Sequence, residues 1–385
     1  MNAHYLQHSK PLIRFLILGD PRYDRRVQNF IRYFRSKEWS VELIYGAPTS
    51  TEKYVAEGVI VNNIALRNTS GPRRFFAYHR ALLNILHRSS PAEILFACDL
   101  YSLRAASLIK KLQSQGLLIY DAREIYTELP TVEKKPLVKA FWKWWEKSGL
   151  AKTDLVVTTA PLDANALLNV HSFLPRSVIV KNMPYSSESN SVVTSLRTHF
   201  SIPGTKKIIV YVGGLQADRG LEMTISAISK LKDNAVLVLI GDGVLKSTLQ
   251  QLVSEKGLTD SVFFYGPANA NDVLGLLYSA DVGISLIERM SGSYALALPS
   301  KVFEYLHSGL VVVSSPLKQV KAAMMNRDYV LYADEHQESE IITQLQKALL
   351  LCEDISLREK INSDVKVSFV FEHDAEELYN VILSK

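Results

Sequence analysis

Twice along this chain, short apolar runs alternate with longer segments of helical period, and few folds accommodate that alternation. It is the pattern of parallel strands joined by crossover helices, each strand buried on both faces. The first series predicts strands at 12–18, 40–45, 58–64, 94–98, 117–120 and 155–159, with a last short one at 178–180. Helices fill the gaps, notably 25–37, 73–87, 102–115 and 136–151. The polar stretch 186–195 reads as a linker. The second series then predicts strands at 207–212, 235–240, 262–265, 282–286, 311–314 and 329–332. The expectation is an α/β protein of two doubly wound, Rossmann-like domains facing each other across a cleft, since open parallel sheets bind ligands beyond the carboxyl ends of their strands.

A length of 385 residues fits two or three domains of ordinary size. With 47% hydrophobic and 22% charged residues the chain has the usage of a globular protein. No apolar run approaches the roughly 18–20 residues of a membrane-spanning helix, and the N-terminal apolar stretch, interrupted by Arg14, reads as a first strand rather than a leader. Two distant cysteines, Cys98 and Cys352, show no pairing or metal-ligand pattern and suit a reducing, cytoplasmic setting. The net charge of +5 conceals an asymmetry. Residues 1–185 hold 26 Lys and Arg against 15 Asp and Glu, and residues 186–385 hold 18 against 24, so the halves carry +11 and −6. Only the first half is expected to face an anionic partner.

The densest chemistry lies in the second series. Strand 207–212 runs into Gly213 and Gly214, followed by Arg219 just before a helix. Glycines let backbone approach a bulky anion, a helix N-terminus offers free amides, and an arginine adds a fixed cation, together a candidate diphosphate site. Gly241, Asp242 and Gly243 follow the next strand, so a second glycine turn reaches the same edge. Later, Pro299 and Ser300 open a helix with Lys301 in its first turn and Glu304 one turn after Ser300, placed to accept from ribose hydroxyls while Ser300 and Lys301 approach phosphate. Each feature taken singly also fits a tight strand-to-helix loop or a solvated carboxylate.

The runs YVGGLQADRGLEMTISAI, GDG, FFYGPANANDVLGLLYSADVGISLI and LPSKVFEYLHSGLVVV, at their spacings, resemble the retaining glycosyltransferases of family 4, which have the GT-B fold and use nucleotide sugars. In the first half, DPRYDRRV, DLYS and YDAREIYTE look like members acting on lipid-linked saccharides. The resemblance implies a nucleotide-sugar donor held by residues 186–368, and an acceptor-binding domain of residues 1–185 to which a closing helix at 369–385 returns. It implies donor contacts from Gly213, Gly214, Arg219, Gly241, Asp242, Gly243, Pro299, Ser300, Lys301 and Glu304, catalytic placement of Arg123 and Glu124, and acceptor-side roles for Asp20, Arg22 and Asp99. The chain departs from the family pattern in three places. Gly214 stands where an arginine is usual, with Arg219 taking the usual lysine's role, Leu296 replaces the first of two glutamates eight positions apart, and Arg123 replaces a histidine. Arg123 would stabilise a leaving or acceptor phosphate; an ion pair with Glu124 or Glu128 that holds the loop is the plainer alternative.

No Asp-x-Asp motif stands at a strand end and no His, Cys and Asp cluster has ligand spacing, so a metal-independent mechanism without further cofactor is expected, with Arg219, Lys301 and backbone amides neutralising the diphosphate. Residues 134–152 (KKPLVKAFWKWWEKSGLAK) form a basic amphipathic pattern in which Lys139, Lys143, Glu146 and Lys147 share one face and Val138, Phe141, Trp142 and Trp145 another. Such a helix suits the anionic inner face of a membrane; an ordinary surface helix burying its aromatics is the alternative. No nucleic-acid motif is present. A sugar-nucleotide epimerase and a non-catalytic sugar-nucleotide scaffold are the competing functions.

Overall fold

The computed structural model describes residues 10–48, 53–66, 71–113, 116–186 and 194–385. The expected linker at 186–195 therefore falls largely outside the described residues. Two compact units are present: Met1–Thr127, Lys134–Val180 and Ala375–Lys385 form one, and Glu128–Glu133 with Lys181–Asp374 form the other.

The first unit is built on seven strands: β1 (Leu12–Ile17), β2 (Ser40–Pro48), β3 (Val59–Leu66), β4 (Ile94–Ala97), β5 (Leu117–Ala122), β6 (Leu155–Thr158) and β7 (Ser177–Ile179). They lie in the order β3-β2-β1-β4-β5-β6-β7, and every pair is parallel. β1 and β4 are buried along almost their whole length, because helices cover both faces of a parallel sheet. Phe15 of β1 and Phe96 of β4 meet at 5.0 Å, and Phe30 of helix Arg25–Ser36 closes over Phe96 at 4.8 Å. That helix starts where Asp24 accepts the Val27 amide at 2.9 Å, an N-cap that satisfies one orphan donor.

The second unit repeats the plan with six parallel strands: β8 (Lys207–Val212), β9 (Ala235–Ile240), β10 (Val262–Gly266), β11 (Val282–Ser285), β12 (Val311–Ser314) and β13 (Val330–Tyr332). Their order is β10-β9-β8-β11-β12-β13. In both sheets the chain first builds outward from its opening strand in one direction and then in the other. The reversal lies between β1 and β4 in one sheet and between β8 and β11 in the other. Loops splay apart at such a reversal, leaving the crevice where open α/β sheets take ligands.

The closing helix, Phe371–Leu383, begins two residues later than the sequence suggests, after helix Ile355–Ser368 ends. Its residues from Ala375 onward pack within the first unit, where Glu376 accepts from Tyr33 at 2.5 Å and from Lys37 at 2.7 Å. Helix Pro136–Leu150 forms as the pattern predicts, but Glu146 does not share the solvent face with the lysines. It is 1% exposed, accepts from the Tyr120 hydroxyl at 2.7 Å and lies 2.8 Å from His171 Nε2. A carboxylate can be buried there because both of its oxygens have partners.

Candidate functional site

The second unit gathers the donor-side candidates at its reversal point. Gly213 follows β8 with φ at 137°, a conformation that L side chains rarely adopt, and a Cβ on it would lie 3.2 Å from Lys301 Nζ. Gly241, following β9 with φ at 143°, comes so close to the first turn that a Cβ would stand 1.9 Å from the Gly213 carbonyl oxygen. The two turns interlock through backbone hydrogen bonds: Gly213 donates to Ile240 at 2.9 Å and Leu215 to Asp242 at 2.9 Å. The exposed Asp242 carboxylate accepts the Gly243 amide at 2.9 Å and lies 3.7 Å from Lys246. Gly214 is exposed at the tip of the first turn, and its carbonyl accepts the Tyr211 hydroxyl at 2.9 Å.

Arg219 stands between the two halves of the sheet. The preceding Asp218 takes a left-handed φ of 66°, a strained conformation for a non-glycine residue, and its carbonyl accepts the Glu288 amide from the loop after β11 at 3.1 Å. Arg219 is thus held where loops from both sides of the reversal meet. Its guanidinium lies 4.7 Å from the centre of the Tyr294 ring, with Nη2 3.3 Å from the Tyr294 hydroxyl.

Helix Ser300–His307 brings the remaining donor-side candidates. Pro299 precedes it in extended conformation, as a residue at the helix entry must be. The Tyr305 hydroxyl accepts the Val212 amide at 3.0 Å and donates to the Ile284 carbonyl at 3.0 Å, so one side chain pins the helix between β8 and β11. Ser300 and Lys301 in the first turn are half-buried, and Glu304 in the second is 8% exposed. Lys301 Nζ rests 4.0 Å from the centre of the Tyr211 ring. Burial pushes the Lys301 ammonium down to about 7, Arg219 adds to the drop, and Glu304 opposes it. Two cations and a glycine turn therefore share one edge, an arrangement suited to a compact polyanion.

The first-unit candidates collect at the other reversal. Asp99, buried at the end of β4, accepts the amides of Leu18 at 2.6 Å and Ser102 at 2.7 Å and so stitches the loops after β1 and β4 together. Burial raises its carboxyl above the usual range, against the effect of those two amides. Asp20 and Arg22 form a salt bridge at 2.8 Å on the loop after β1. Arg123, after β5, pairs with neither Glu124 nor Glu128 in the contacts that hold its guanidinium. Its Nε donates to Asp121 at 2.9 Å and its Nη1 to Asp24, while its buried Nη2 has no hydrogen-bond partner among the described residues. Asp121 is gripped from the other side by Arg26, at 2.8 Å from Nε and 2.7 Å from Nη2. Glu124 is exposed beside it. Sequence reasoning missed Asp24, Asp121 and Arg26 as the holders of Arg123, although Asp24 immediately before a helix was a readable cap; it also missed Tyr294, which no local pattern marks.

The chain is similar to known proteins in part of its sequence and in its fold. Residues 193–365 match the family model for glycosyl transferases group 1. A protein of Escherichia coli (strain K12) named as a colanic acid biosynthesis glycosyl transferase, WcaI, is 30% identical over 174 residues, 43% of this chain and 41% of that protein. A 2-deoxystreptamine glucosyltransferase of Streptomyces kanamyceticus is 24% identical over 185 residues, 45% of this chain and 47% of that one. The chain thus spans less than half the length of the curated relatives it matches. The whole fold is shared with solved structures. Sucrose-phosphate synthase from Thermosynechococcus elongatus superposes with a TM-score of 0.77 at 16% identity, over 97% of this chain and 100% of that one. Anabaena Alr3699/HepE, solved in complex with UDP and glucose, gives 0.74 at 12% identity, over 97% and 99%. The fold is GT-B, and the glycosyl transferases group 1 match lies in its second unit.

Proposed function

We propose that this protein is a glycosyltransferase of the retaining family 4 type, which moves a hexosyl or aminohexosyl group from a nucleoside-diphosphate sugar to a saccharide or lipid-linked acceptor in cell-surface glycan synthesis. The observation that carries the reading is the pair of cations, Arg219 and Lys301, set against the Gly213 turn at the reversal point of the second sheet. Departure of the diphosphate from the sugar carbon develops negative charge on its oxygens. Preorganised cations and amides stabilise that charge without a metal ion or a further cofactor. Lys301, poised near neutrality, gains its proton as the anion settles beside it. Glu304 accepts from the ribose. Arg123 and Glu124 act near the transferred sugar, while Asp20, Arg22 and Asp99 shape the acceptor side. The acceptor oxygen forms the new bond to the sugar carbon as the bond to the diphosphate breaks, and its proton passes to the departing diphosphate.

The reading is supported by the group 1 match, by the named activities of the two relatives and by the nucleotide bound to HepE. It includes work at the cytoplasmic face of a membrane. Lys134, Lys135, Lys143 and Lys147 are exposed on or beside helix Pro136–Leu150, and Trp144 and Leu137 stand out at 53% and 85% exposure. Phe141, Trp142 and Trp145 are instead engaged with Phe75, Phe76 and Tyr101. Thermal-shift screening against uridine, guanosine and adenosine diphosphates tests the donor site first. One of them at about 100 times its dissociation constant should stabilise the protein by about 2.7 kcal/mol. Transfer from the corresponding sugar nucleotide should then persist in chelator and give a product with the donor's anomeric configuration by NMR. Absence of any nucleotide-dependent shift would reject the reading.

A further inference from the structure

Both cations of the donor edge rest on tyrosine rings. Lys301 lies over Tyr211, at the end of β8 and 1% exposed. Arg219 lies over Tyr294. The rings are not equivalent. Tyr211 is fixed within the sheet, and its hydroxyl is spent on the Gly214 carbonyl at 2.9 Å. Tyr294 is carried by the short helix Gly292–Ala295, in the long connection between β11 and helix Ser300–His307, and its hydroxyl meets Arg219 itself at 3.3 Å. Ser291 caps that short helix by accepting the Tyr294 amide at 3.3 Å, and the Tyr294 carbonyl accepts the Ala297 amide at 3.1 Å, so the backbone beneath the ring is tied at both ends.

Arg219 needs such a support. It follows a strained residue, and besides Tyr294 its guanidinium makes a long 3.5 Å contact to the Asp218 carbonyl. No carboxylate salt bridge holds it among the described residues. An arginine held by a carboxylate would have part of its charge and its fork of donors consumed. One held by a ring face keeps its orientation, its full charge and its outward donors. Burial pushes the Lys301 ammonium downward and Arg219 adds to that drop, so the placement of Arg219 contributes to the proton affinity of the second cation.

We infer that Tyr294 is a positioning residue of the donor site: its ring and hydroxyl fix the Arg219 guanidinium for a nucleoside diphosphate. The inference rests on the donor-site reading above. The test is a double-mutant cycle on affinity for whichever of uridine, guanosine and adenosine diphosphate stabilises the wild type most, measured by calorimetry with ligand-free melting in parallel. Tyr294→Ala should weaken binding about tenfold, Tyr294→Leu, which keeps bulk without a π face, about as much, and Tyr294→Phe by no more than about threefold. In an Arg219→Ala background, Tyr294→Ala should cost almost nothing more, because the group it positions is gone. Ligand-free melting temperatures should agree among the variants.

Three outcomes overturn it. Additive losses would show that Tyr294 acts independently of Arg219. A Tyr294→Leu variant as tight as Tyr294→Phe would reduce the ring to packing. Weakening by Arg219→Ala with none by Tyr294→Ala would remove Tyr294 while leaving the donor site standing. If the wild type binds none of the three nucleotides, the donor-site reading fails first and takes this inference with it.

Discussion

Lys301 gives the proposed donor site a pH dependence of calculable size. Its ammonium is pushed down to about 7 in the free protein, against 10.5 for an ordinary lysine. A diphosphate beside it supplies the opposite charge that burial and Arg219 deny it, so binding restores the ordinary value and takes up a proton. Affinity should then fall as pH rises above 7. Between about pH 7.5 and 9, where the nucleotide's terminal phosphate is already fully ionised, the free lysine loses most of its remaining proton. The linkage predicts about a 20-fold loss of affinity across that window, close to 2 kcal/mol. Calorimetry in two buffers of different ionisation heat measures the same quantity independently, as an uptake approaching one proton per nucleotide at the upper end. Lys301→Arg, charged throughout, should bind with little pH dependence. Lys301→Met should bind weakly at every pH. Stability runs the other way: between about 7 and 10.5 the unfolded chain holds a proton on this lysine that the folded chain has released, so Lys301's contribution to folding becomes less unfavourable as pH rises. Protein that melts higher at pH 9 yet binds nucleotide less tightly fits both signs. A wild type with constant affinity across the window, or a Lys301→Met variant with an unchanged slope, would refute the reasoning.

Three further results are expected. Arg219→Ala should raise the dissociation constant for nucleoside diphosphate by roughly 10- to 150-fold, the worth of a charge-assisted contact of about 1.5–3 kcal/mol, and unchanged affinity by calorimetry would remove Arg219 from the site. Glu304→Gln should weaken sugar-nucleotide binding, because the ribose loses an ionised acceptor, with the ligand-free melting temperature held; a large drop in that temperature would mark Glu304 as structural. Protein in which Lys134, Lys135, Lys139, Lys143 and Lys147 are changed to Gln should sediment less with anionic vesicles at low salt than wild type, given about 1 kcal/mol per lysine near such a surface, and equal sedimentation would leave the helix an ordinary surface element.

The fold was legible because burial on both faces of a parallel sheet writes itself into sequence as continuous apolar runs. β8, β9 and β12 stand at the residues that their runs predict. Legibility failed where an element is decided by a partner distant in sequence. Glu146 reads as a surface residue from its place among lysines on a helix. Tyr120, on β5, and His171, on a later helix, are what draw it inward, and neither has any sequence relation to it. The small helices Pro130–Glu133 and Gly292–Ala295 are too short to carry a period at all.

The same division runs through the site. Glycines that must accept φ near 140° and a helix that opens with Ser300 and Lys301 are local facts, visible residue by residue. What holds the charged groups in place is not local. Arg123 invites pairing with Glu124 or Glu128, its neighbours in sequence, yet the sheet order sets β5 two places from β1. The loop after β1 then supplies Asp24, while Asp121, at the end of β5, is shared with Arg26. The two cations of the proposed donor edge show another solution. Arg123 is locked by carboxylates and has much of its charge compensated, whereas Arg219 and Lys301 rest on tyrosine rings, with Glu304 the carboxylate that acts on Lys301. Burial is the main reason that Lys301 gives up its proton so readily, and repulsion by Arg219 adds to it against the pull of Glu304. A site held that way is costly when empty and is relieved by an anion. The contrast between a carboxylate-locked arginine in one unit and two ring-supported cations in the other is what the proposed donor site predicts, because a group left without a salt bridge keeps its donors for an anion.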